Sequence, residues 1–546
     1  MLRHNASLRI ATAAALAAVI LWLSGCSGGT GPGGDGPPAG HVYVDASNTG
    51  TEDGSEEHPF NTIEEALAIA VDGWVVHVAA GSYDVGDTLF VRNAVSIRGA
   101  GASGTAIGGT VCVYTASAAD TVIIARLACV NVCSFPAPDT TAANQAPVLV
   151  RDCALEFVDD RSVYAPPSQW YTLDGCDVAG DVLLAYVDCD APRSLVACEV
   201  AGSFRFSAVS GVSCTVAGSD LGGRVRFSVR EIERAAFLNN DIGDDVFVTA
   251  RDCTTTVVSG NLVEGDTLKF TFVGCDSCRI VGNELPDGGI YATCSLFEVM
   301  SIEGNLLENG DVRVTFVGGA LTMHGNVITC PAGRDAVSVV TATPTPPAIT
   351  ENVIVLPYDA PTGGLPHQDT APCGIRVEAS TLGSVFDNTV TGGAYGINCY
   401  GQHAEIVENW VEGAHLGIAA YGSDVLCGDN LVQDCAGDGV WLRTTGPVEG
   451  NVVRRNGGAG VRVRGDCDLG GGAFGSTGGN TLTENLGYDL VVEVLATQAD
   501  TIFARHNVWD HFSVPDIMAH DVWDSDDDPT LAAAAVAPTA SGRERR

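Results

Sequence analysis

Basic residues are scarce in this chain of 546 residues: 28 lysines and arginines stand against 67 aspartates and glutamates. Lys269 is the only lysine, and the formal net charge is −39. Such an acidic surface disfavours nucleic acids and anionic membranes as partners. It also repels acidic polysaccharides unless a local basic patch or a bound cation intervenes. With four methionines and 11 scattered histidines, the chain also lacks the composition expected of a copper-handling protein.

Two sequence marks repeat at one spacing. Glycines followed by Ile or Val recur at intervals of 22, 21, 22 and 21 residues: Gly374, Gly396, Gly417, Gly439 and Gly460. Asparagines recur in phase with them at intervals of 21 residues: Asn388, Asn409, Asn430 and Asn451. Two independent marks at one period indicate a single structural unit that is stacked many times.

The residues between these marks decide which unit is stacked. They alternate, are rich in Val and Ile, and are interrupted by Gly, Asn and Asp, so each repeat is two or three short strands. No repeat contains a helical stretch long enough to cover a strand. The sequence therefore predicts an all-β, single-stranded, right-handed parallel β-helix with about 22 residues per turn, or rung. The asparagine column is expected to hydrogen-bond from rung to rung.

Earlier rungs carry cysteine at the same turn. The column has spacings of 21 to 23 residues and reads Cys153, Cys176, Cys198, Ser219, Asn240, Asn261, Asn283, Asn305 and Asn326. Of 19 cysteines, 18 lie beyond Cys26, which is compatible with a disulfide framework in an exported protein. The alternative is that they are small buried side chains. Cysteines in register on stacked strands point the same way, which is poor geometry for a disulfide bond. Pairing stays open, and no metal site is predicted.

The N-terminus predicts export. A basic start precedes an apolar run, residues 10–23, that is too short for an ordinary membrane-spanning helix and ends in Leu23-Ser24-Gly25-Cys26. This ending resembles the lipobox of bacterial lipoproteins, which implies residues 1–26 as a signal peptide and lipidation at Cys26. The resemblance also implies an outer-membrane or cell-surface location. Residues 27–40 are then a Gly/Pro linker, and lipid is the sole membrane contact.

Residues 41–101 resemble the first rungs of right-handed β-helix proteins of the pectate-lyase-like superfamily. The motifs that carry this resemblance are His41-Val42-Tyr43-Val44-Asp45, Pro59-Phe60-Asn61-Thr62-Ile63, Gly73-Trp74-Val75-Val76-His77-Val78 and Gly81-Ser82-Tyr83. The segment also resembles a domain-of-unknown-function family. We expect a short capping helix begun by Asn61 or Thr62 at this end of the stack.

Further boundaries follow from breaks in the period. The β-helix is predicted over residues 102–523, with loops inserted at about residues 330–373, where prolines cluster and the spacing breaks. Inserted loops on a solenoid often border a binding groove. Residues 524–546 are an acidic and Ala-rich stretch that we interpret as a cap and a disordered tail. The chain is expected to be a monomer.

Strand alternation directs two columns of side chains outward after these loops. The first column is Arg376, Asn398, Ala419, Trp441 and Arg462, and the second is Glu378, Tyr400, Tyr421, Arg443 and Arg464. Aromatic rings suit pyranose faces, and guanidinium groups suit hydroxyls or uronate carboxylates. The predicted function is polysaccharide or other cell-surface ligand binding on residues 376–464. Ordinary outward-facing strand residues are the alternative interpretation.

Two other functions remain open for the same face. A polysaccharide lyase or uronate epimerase, as in superfamily relatives, would need a base such as Arg443 or Arg464 and a proton donor such as Tyr400 or Tyr421. It could also need Ca²⁺ to neutralise the substrate carboxylate, but Glu378 is the one carboxylate on these columns. The last alternative is a structural or adhesive rod without a small ligand.

Overall fold

A computed structural model describes residues 40–114, 121–134, 146–162, 171–189, 192–342, 345–358, 371–381, 383–499 and 501–538. Over these residues the chain is an all-β parallel solenoid, as predicted. Each strand pairs with the equivalent strand one rung later, so that Phe247 is in register with Lys269 and Lys269 with Tyr291. The predicted signal peptide with Cys26 and the linker up to residue 39 lie outside the described residues.

Most rungs contribute to three parallel sheets. Sheet 1 carries the predicted binding columns; its strands are Val158–Ser162, Val182–Cys189, Val246–Arg251, Thr267–Val273, Gly289–Ser295, Val312–Val317, Val337–Thr341, Cys373–Thr381, Tyr395–Gln402, Leu416–Ser423, Val440–Arg443, Val461–Val463, Leu490–Val492 and Val522–Trp523. Two long strands, Phe204–Ala217 and Val225–Leu238, belong first to sheet 1 and then to sheet 2.

Sheets 2 and 3 complete each rung. Sheet 2 consists of His41–Val44, Val75–Val78, Ser96–Gly99, Val122–Ala125, Val148–Arg151, Tyr171–Asp174, Arg193–Val196, Thr255–Ser259, Ser277–Val281, Val299–Glu303, Ala320–His324, Ala348–Thr350, Ser384–Phe386, Glu405–Val407, Leu426–Gly428, Gly446–Glu449 and Cys467–Asp468. Sheet 3 consists of Gly81–Tyr83, Thr88–Val91, Thr105–Val113, Ala128–Ser134, Ala154–Leu155, Asp177–Val178, Glu199–Val200, Asp220–Leu221, Asp241–Ile242, Leu262–Val263, Glu284–Leu285, Leu306–Leu307, Val327–Thr329, Val353–Val355, Thr389–Thr391, Trp410–Glu412, Leu431–Gln433, Val452–Arg454 and Thr481–Thr483.

Two short helices flank the strands in the described ranges. Helix Ile63–Ile69 begins after Thr62, whose hydroxyl accepts a hydrogen bond from the Glu65 amide, and it buries Ile63 and Ala66. Helix Val514–His520 begins after Ser513 in the same way. That the first helix caps the open end of the stack stays a prediction.

The interior is filled by residues that alternate along the strands. In the middle rungs it holds stacked rings, such as Phe206 and Phe227 with centroids 5.2 Å apart. In the later rungs the two sides of the interior lie too close for a further side chain at the repeated glycines. A Cβ at Gly396, for example, would lie 2.3 Å from a methyl group of Val411. The repeated glycines therefore let sheet 1 approach sheet 3 closely.

The asparagine column forms the ladder that its spacing predicts. The side chain of Asn388 donates to Asn409 Oδ1 over 2.9 Å, and the Asn388 backbone N–H donates to the same oxygen over 3.1 Å. These amides are buried, so each bond satisfies a group that water cannot reach. Every cysteine whose side chain is described is buried and free, in agreement with the small-side-chain interpretation.

The acidic and Ala-rich stretch is ordered further than predicted. Residues Ala533–Pro538 form a strand that pairs in parallel with Thr501–Asn507. Asp524 is buried and accepts hydrogen bonds from the Asp526 and Ala534 amides. A carboxylate that satisfies two backbone amides explains why a segment with a disordered composition docks on the last rungs.

Candidate functional site on the late half of sheet 1

The two predicted columns exist. The first column is in register through four pairs: Arg376 with Asn398, Asn398 with Ala419, Ala419 with Trp441, and Trp441 with Arg462. The second column pairs Glu378 with Tyr400, Tyr400 with Tyr421, and Tyr421 with Arg443. Arg464 directly follows the strand Val461–Val463. Strand alternation thus placed all ten side chains on the outer side of sheet 1.

The first column is nevertheless not at the surface, which corrects the sequence analysis. Arg376 is 4% exposed, and Asn398 and Trp441 are 1% exposed. This side of the sheet carries a second, outer hydrophobic cluster formed by Ala371, Cys373, Ala394, Tyr395, Leu416, Ala419, Tyr421 and Trp441. The physical reason is local: Tyr395 and Leu416, which stand just before Gly396 and Gly417, are bulky members of this outer cluster.

Arg376 is held in a buried ion pair. Its Nε lies 2.8 Å from Asp335 Oδ2, and its Nη2 donates to the Ala371 carbonyl over 2.7 Å. Burial by itself would lower the pKa of the Arg376 guanidinium, but the hydrogen bond to Asp335 and the nearby negative charges together outweigh burial, and the net pKa is raised. Arg376 is therefore a permanently charged structural group. A ligand would have to displace Asp335 to reach it.

Two further arginines at the other end of the columns are neutralised. Arg462 Nε lies 2.5 Å from Asp438 Oδ2, and its Nη1 lies 2.6 Å from Glu493 Oε1. Arg464 binds the other oxygen of Glu493. Burial lowers the pKa of Arg462, but Asp438 and Glu493 together raise it by more, so the net pKa is raised. These guanidinium groups are engaged by protein carboxylates.

The second column keeps an accessible aromatic stack. The rings of Tyr400 and Tyr421 are 4.3 Å apart and 9° from parallel, and Tyr421 contacts Trp441 at 4.9 Å. The Arg464 guanidinium lies over the Trp441 ring at 5.4 Å. Because these rings stack along the solenoid axis, each ring covers the face of the ring on the neighbouring rung. Tyr421 is accordingly almost buried, whereas Tyr400 is half-buried.

A shallow depression lies beside Tyr400, at the start of this stack. It has a volume of about 480 Å³ and is lined by Glu378, Ala379, Tyr400 and Gly401. The Glu378 side chain is 44% exposed. A glycine is required at the next rung, because a Cβ at Gly422, which has φ +141°, would lie 1.5 Å from the Gly401 carbonyl oxygen.

Arg443 ends the open part of the second column. It is exposed and makes no ion pair with any other residue that the structure describes. Of the four catalytic candidates, Arg464 is already bound to Glu493 and would have to leave this partner to contact a substrate. Within the described ranges, no group of three or more His, Cys, Asp or Glu side chains has the arrangement of a metal site.

Sequence reasoning missed the residues that cover and neutralise the columns. Asp335, Asp438 and Glu493 lie in turns or on the following rung, outside the periodic marks. One signal was available: Tyr395 and Leu416 both stand immediately before a repeated glycine. Bulky apolar residues recurring at the period of the rung indicate a second packed layer.

Among the described residues, no helix has the length and apolar character needed to cross a membrane. The parallel pairing of equivalent strands from rung to rung defines the chain as a parallel β-solenoid protein. It belongs to the family described as "Protein of unknown function (DUF1565)", whose model matches residues 46–132 and 247–515. The match reaches far beyond the first rungs that carried the resemblance in the sequence.

The comparison with solved structures finds matches at low similarity. A thermostable GH87 α-1,3-glucanase catalytic unit from Streptomyces thermodiastaticus is 14% identical, with a TM-score of 0.20 over 82% of this chain and 69% of that chain. The A-module of a mannuronan C-5 epimerase from Azotobacter vinelandii is 14% identical, with a TM-score of 0.26 over 60% and 87%. An alginate lyase of the PL6 family is 10% identical, with a TM-score of 0.24 over 82% and 78%. No curated protein sequence matches the chain. Likeness at this level carries no information about activity.

Proposed function

We propose that the protein binds a polysaccharide on the late half of sheet 1, with one sugar residue in the depression beside Tyr400. The observation that carries this proposal is a tyrosine ring that is stacked on one side by Tyr421 and borders an open depression with Glu378 on the other. A ring held rigidly by a neighbour is a pre-organised platform for the apolar face of a pyranose.

The groups around the platform suit a hydroxyl-rich sugar. Glu378 can accept hydrogen bonds from hydroxyl groups, and an ionised acceptor makes them stronger than neutral ones. A carboxylate in the depression disfavours a uronate at that position. Arg443 lies two rungs further along the second column, where a longer chain could meet a positive charge. A depression of this shape predicts modest affinity per sugar and recognition of an extended polymer.

The remaining parts of the proposal concern location and architecture. We propose export, lipidation at Cys26 and anchoring at the outer membrane or cell surface, with a right-handed coil capped by helix Ile63–Ile69. Replacing Cys26 by Ser should release the protein from the membrane fraction and abolish labelling by a fatty acid. Retention of the label in this variant would overturn the lipobox interpretation.

The binding proposal is tested with the full-length protein against a panel of neutral and uronic polysaccharides, with and without Ca²⁺. Tyr400→Ala should weaken binding of a recognised neutral glycan about tenfold, since it removes the stacking platform. Trp410→Ala is the matched control, because it removes a half-exposed ring from sheet 3. Equal affinity of Tyr400→Ala and the unmodified protein would contradict the assignment. Formation of an ultraviolet-absorbing product from a uronic polymer would instead identify the protein as a lyase. If no polysaccharide is bound and no product forms, the structural rod is favoured.

A further inference from the structure

The outer face of sheet 1 continues toward the N-terminus through the rungs from Phe204 to Val317. One outward position in these rungs is occupied by cations and aromatic rings in unbroken register; we name it the cationic column, and its members are Arg205, Arg226, Phe247, Lys269, Tyr291 and Arg313. Two residues further along each strand runs a column of small hydroxyl side chains: Ser207, Ser228, Thr249, Thr271, Thr293 and Thr315.

The cationic column is open to solvent. Arg205, Arg226, Lys269 and Arg313 are exposed, and Phe247 and Tyr291 are partly exposed. The first three cations make no ion pair with any other described residue. Three unpaired cations on one face form a local positive patch in a chain with 67 acidic and 28 basic residues. The single lysine of the sequence stands in this column.

The aromatic members are held in place by their neighbours. The guanidinium groups of Arg224 and Arg226 lie 5.8 and 5.9 Å from the centre of the Phe247 ring.

A depression of about 450 Å³ extends over the column and the hydroxyl side chains; it is lined by Phe247, Thr267, Lys269, Tyr291, Ala292, Thr293, Arg313 and Thr315. At a rung spacing of about 4.8 Å, the column is about 24 Å long.

A buried carboxylate fixes the C-terminal end of the column. Asp311 is fully buried, and it accepts hydrogen bonds from the Tyr291 hydroxyl over 2.9 Å and from Arg313 Nε over 2.6 Å. Arg334 lies 3.5 Å from its other side. Two arginines around one carboxylate leave a net positive charge. Burial raises the pKa of Tyr291 to about 12, so its hydroxyl keeps its proton and stays bound to Asp311.

We propose that the cationic column binds an anionic polysaccharide, carboxylated or sulfated, extended along the solenoid axis. Unpaired cations one or two rungs apart would contact the anionic groups, the rings would pack on sugar faces, and the serine and threonine hydroxyls would bond to sugar hydroxyls. A nucleic acid fits less well, because its higher charge density would meet the repulsion of a protein with a net charge of −39. This site is independent of the depression beside Tyr400.

The test measures binding of three probes to the full-length protein: polygalacturonate, dextran sulfate and neutral dextran. We expect both anionic polymers, but not dextran, to bind at low ionic strength and to weaken as salt is added. The variant Arg205→Gln/Arg226→Gln/Lys269→Gln should lose about tenfold or more in affinity, as expected for three exposed charge contacts. The control Arg98→Gln/Arg234→Gln/Arg279→Gln removes three exposed charges from sheet 2 and should bind like the unmodified protein.

Several outcomes would overturn the proposal. They are an absence of binding to both anionic polymers, equal losses in the two triple variants, or tighter binding of single-stranded DNA than of polygalacturonate. A preference for polygalacturonate or for dextran sulfate identifies the anionic group. The variant Tyr400→Ala separates the two sites, since it should leave anionic binding unchanged. Failure of one proposal therefore does not imply failure of the other.

Discussion

The early and late halves of the outer face of sheet 1 are built from the same strands in the same register, yet they differ in what covers them. In the early half, residues 204–317, cations and rings project into solvent. In the late half, residues 337–464, Tyr395 and Leu416 pack over the strands and bury Arg376 and Trp441. Register determines which side of a sheet a residue occupies, but the residues that flank the strand determine whether that side is accessible.

Charge separates the two halves as well. The late half pairs three of its four column arginines with Asp335, Asp438 and Glu493. The early half leaves Arg205, Arg226 and Lys269 without an ion pair in the described part of the chain. A surface whose cations are already paired is a structural layer, whereas unpaired cations remain available to a ligand.

The largest expected effect tests burial of charge in the late half. Arg376→Ala should lower the free energy of unfolding by about 4 kcal/mol, because it leaves Asp335 without its buried partner. Arg226→Ala, at the equivalent strand position of the early half, should change it by less than about 0.5 kcal/mol. Urea denaturation followed by circular dichroism measures both. Similar small losses would mean that the late half is as open as the early half.

A second variant separates loss of the partner from loss of packing. Arg376→Met together with Asp335→Ala removes both charges and keeps an apolar side chain under the outer cluster. It should recover most of the stability lost in Arg376→Ala. A double variant as unstable as Arg376→Ala would show that the guanidinium stabilises this half by contacts other than the ion pair.

The next largest effect is a pH dependence of the free energy of unfolding that is caused by a buried carboxyl group in the last rungs. Asp489 is buried, and burial raises its pKa to about 7, so it is protonated in the folded protein at pH values where the unfolded chain is ionised. Its contribution to stability is fully present below about pH 4 and is lost as the pH rises through 7, by about 4 kcal/mol. Asp489→Asn should remove this part of the dependence, and urea denaturation between pH 4 and pH 8 measures it.

The control for this prediction is Asp526→Asn, which changes an exposed carboxylate of the same segment. It should leave the pH dependence unchanged. A smaller slope should persist in Asp489→Asn, because burial also raises the pKa of Asp160, to about 6. An unchanged slope in Asp489→Asn would show that this carboxyl is ionised in the folded protein.

The smallest expected effect concerns a variant that frees two arginines of the late half from their carboxylate partner, so that they are unpaired like the cations of the early half. Glu493→Gln removes the carboxylate shared by Arg462 and Arg464, so both guanidinium groups gain unpaired donors. Affinity for dextran sulfate should rise about threefold in a binding titration. Glu308→Gln, which changes net charge equally at an exposed site, should have no such effect. Equal increases would assign the gain to net charge alone.

The sequence predicted the repeat and the register, because both depend on local periodicity. The spacing of Asn388 and Asn409 gave the ladder, and the alternation after Gly374 gave the outward columns. It could not predict that Arg376 is buried, because its partner Asp335 lies across an inserted loop. Nor did the acidic composition of the C-terminal segment reveal that Ala533–Pro538 adds a strand. Contacts between segments at irregular spacing leave no periodic signal.

The asparagine ladder gives this solenoid a tolerance for insertions. Successive ladder asparagines are 21 residues apart between Asn388 and Asn409, but 36 apart between Asn352 and Asn388, and both steps close with the same 2.9 Å side-chain bond. Each turn of the coil therefore contributes one asparagine to the ladder, whatever the number of residues in that turn. New loops can be grafted between ladder positions without disturbing the rungs on either side, so the fold can acquire binding surfaces one insertion at a time.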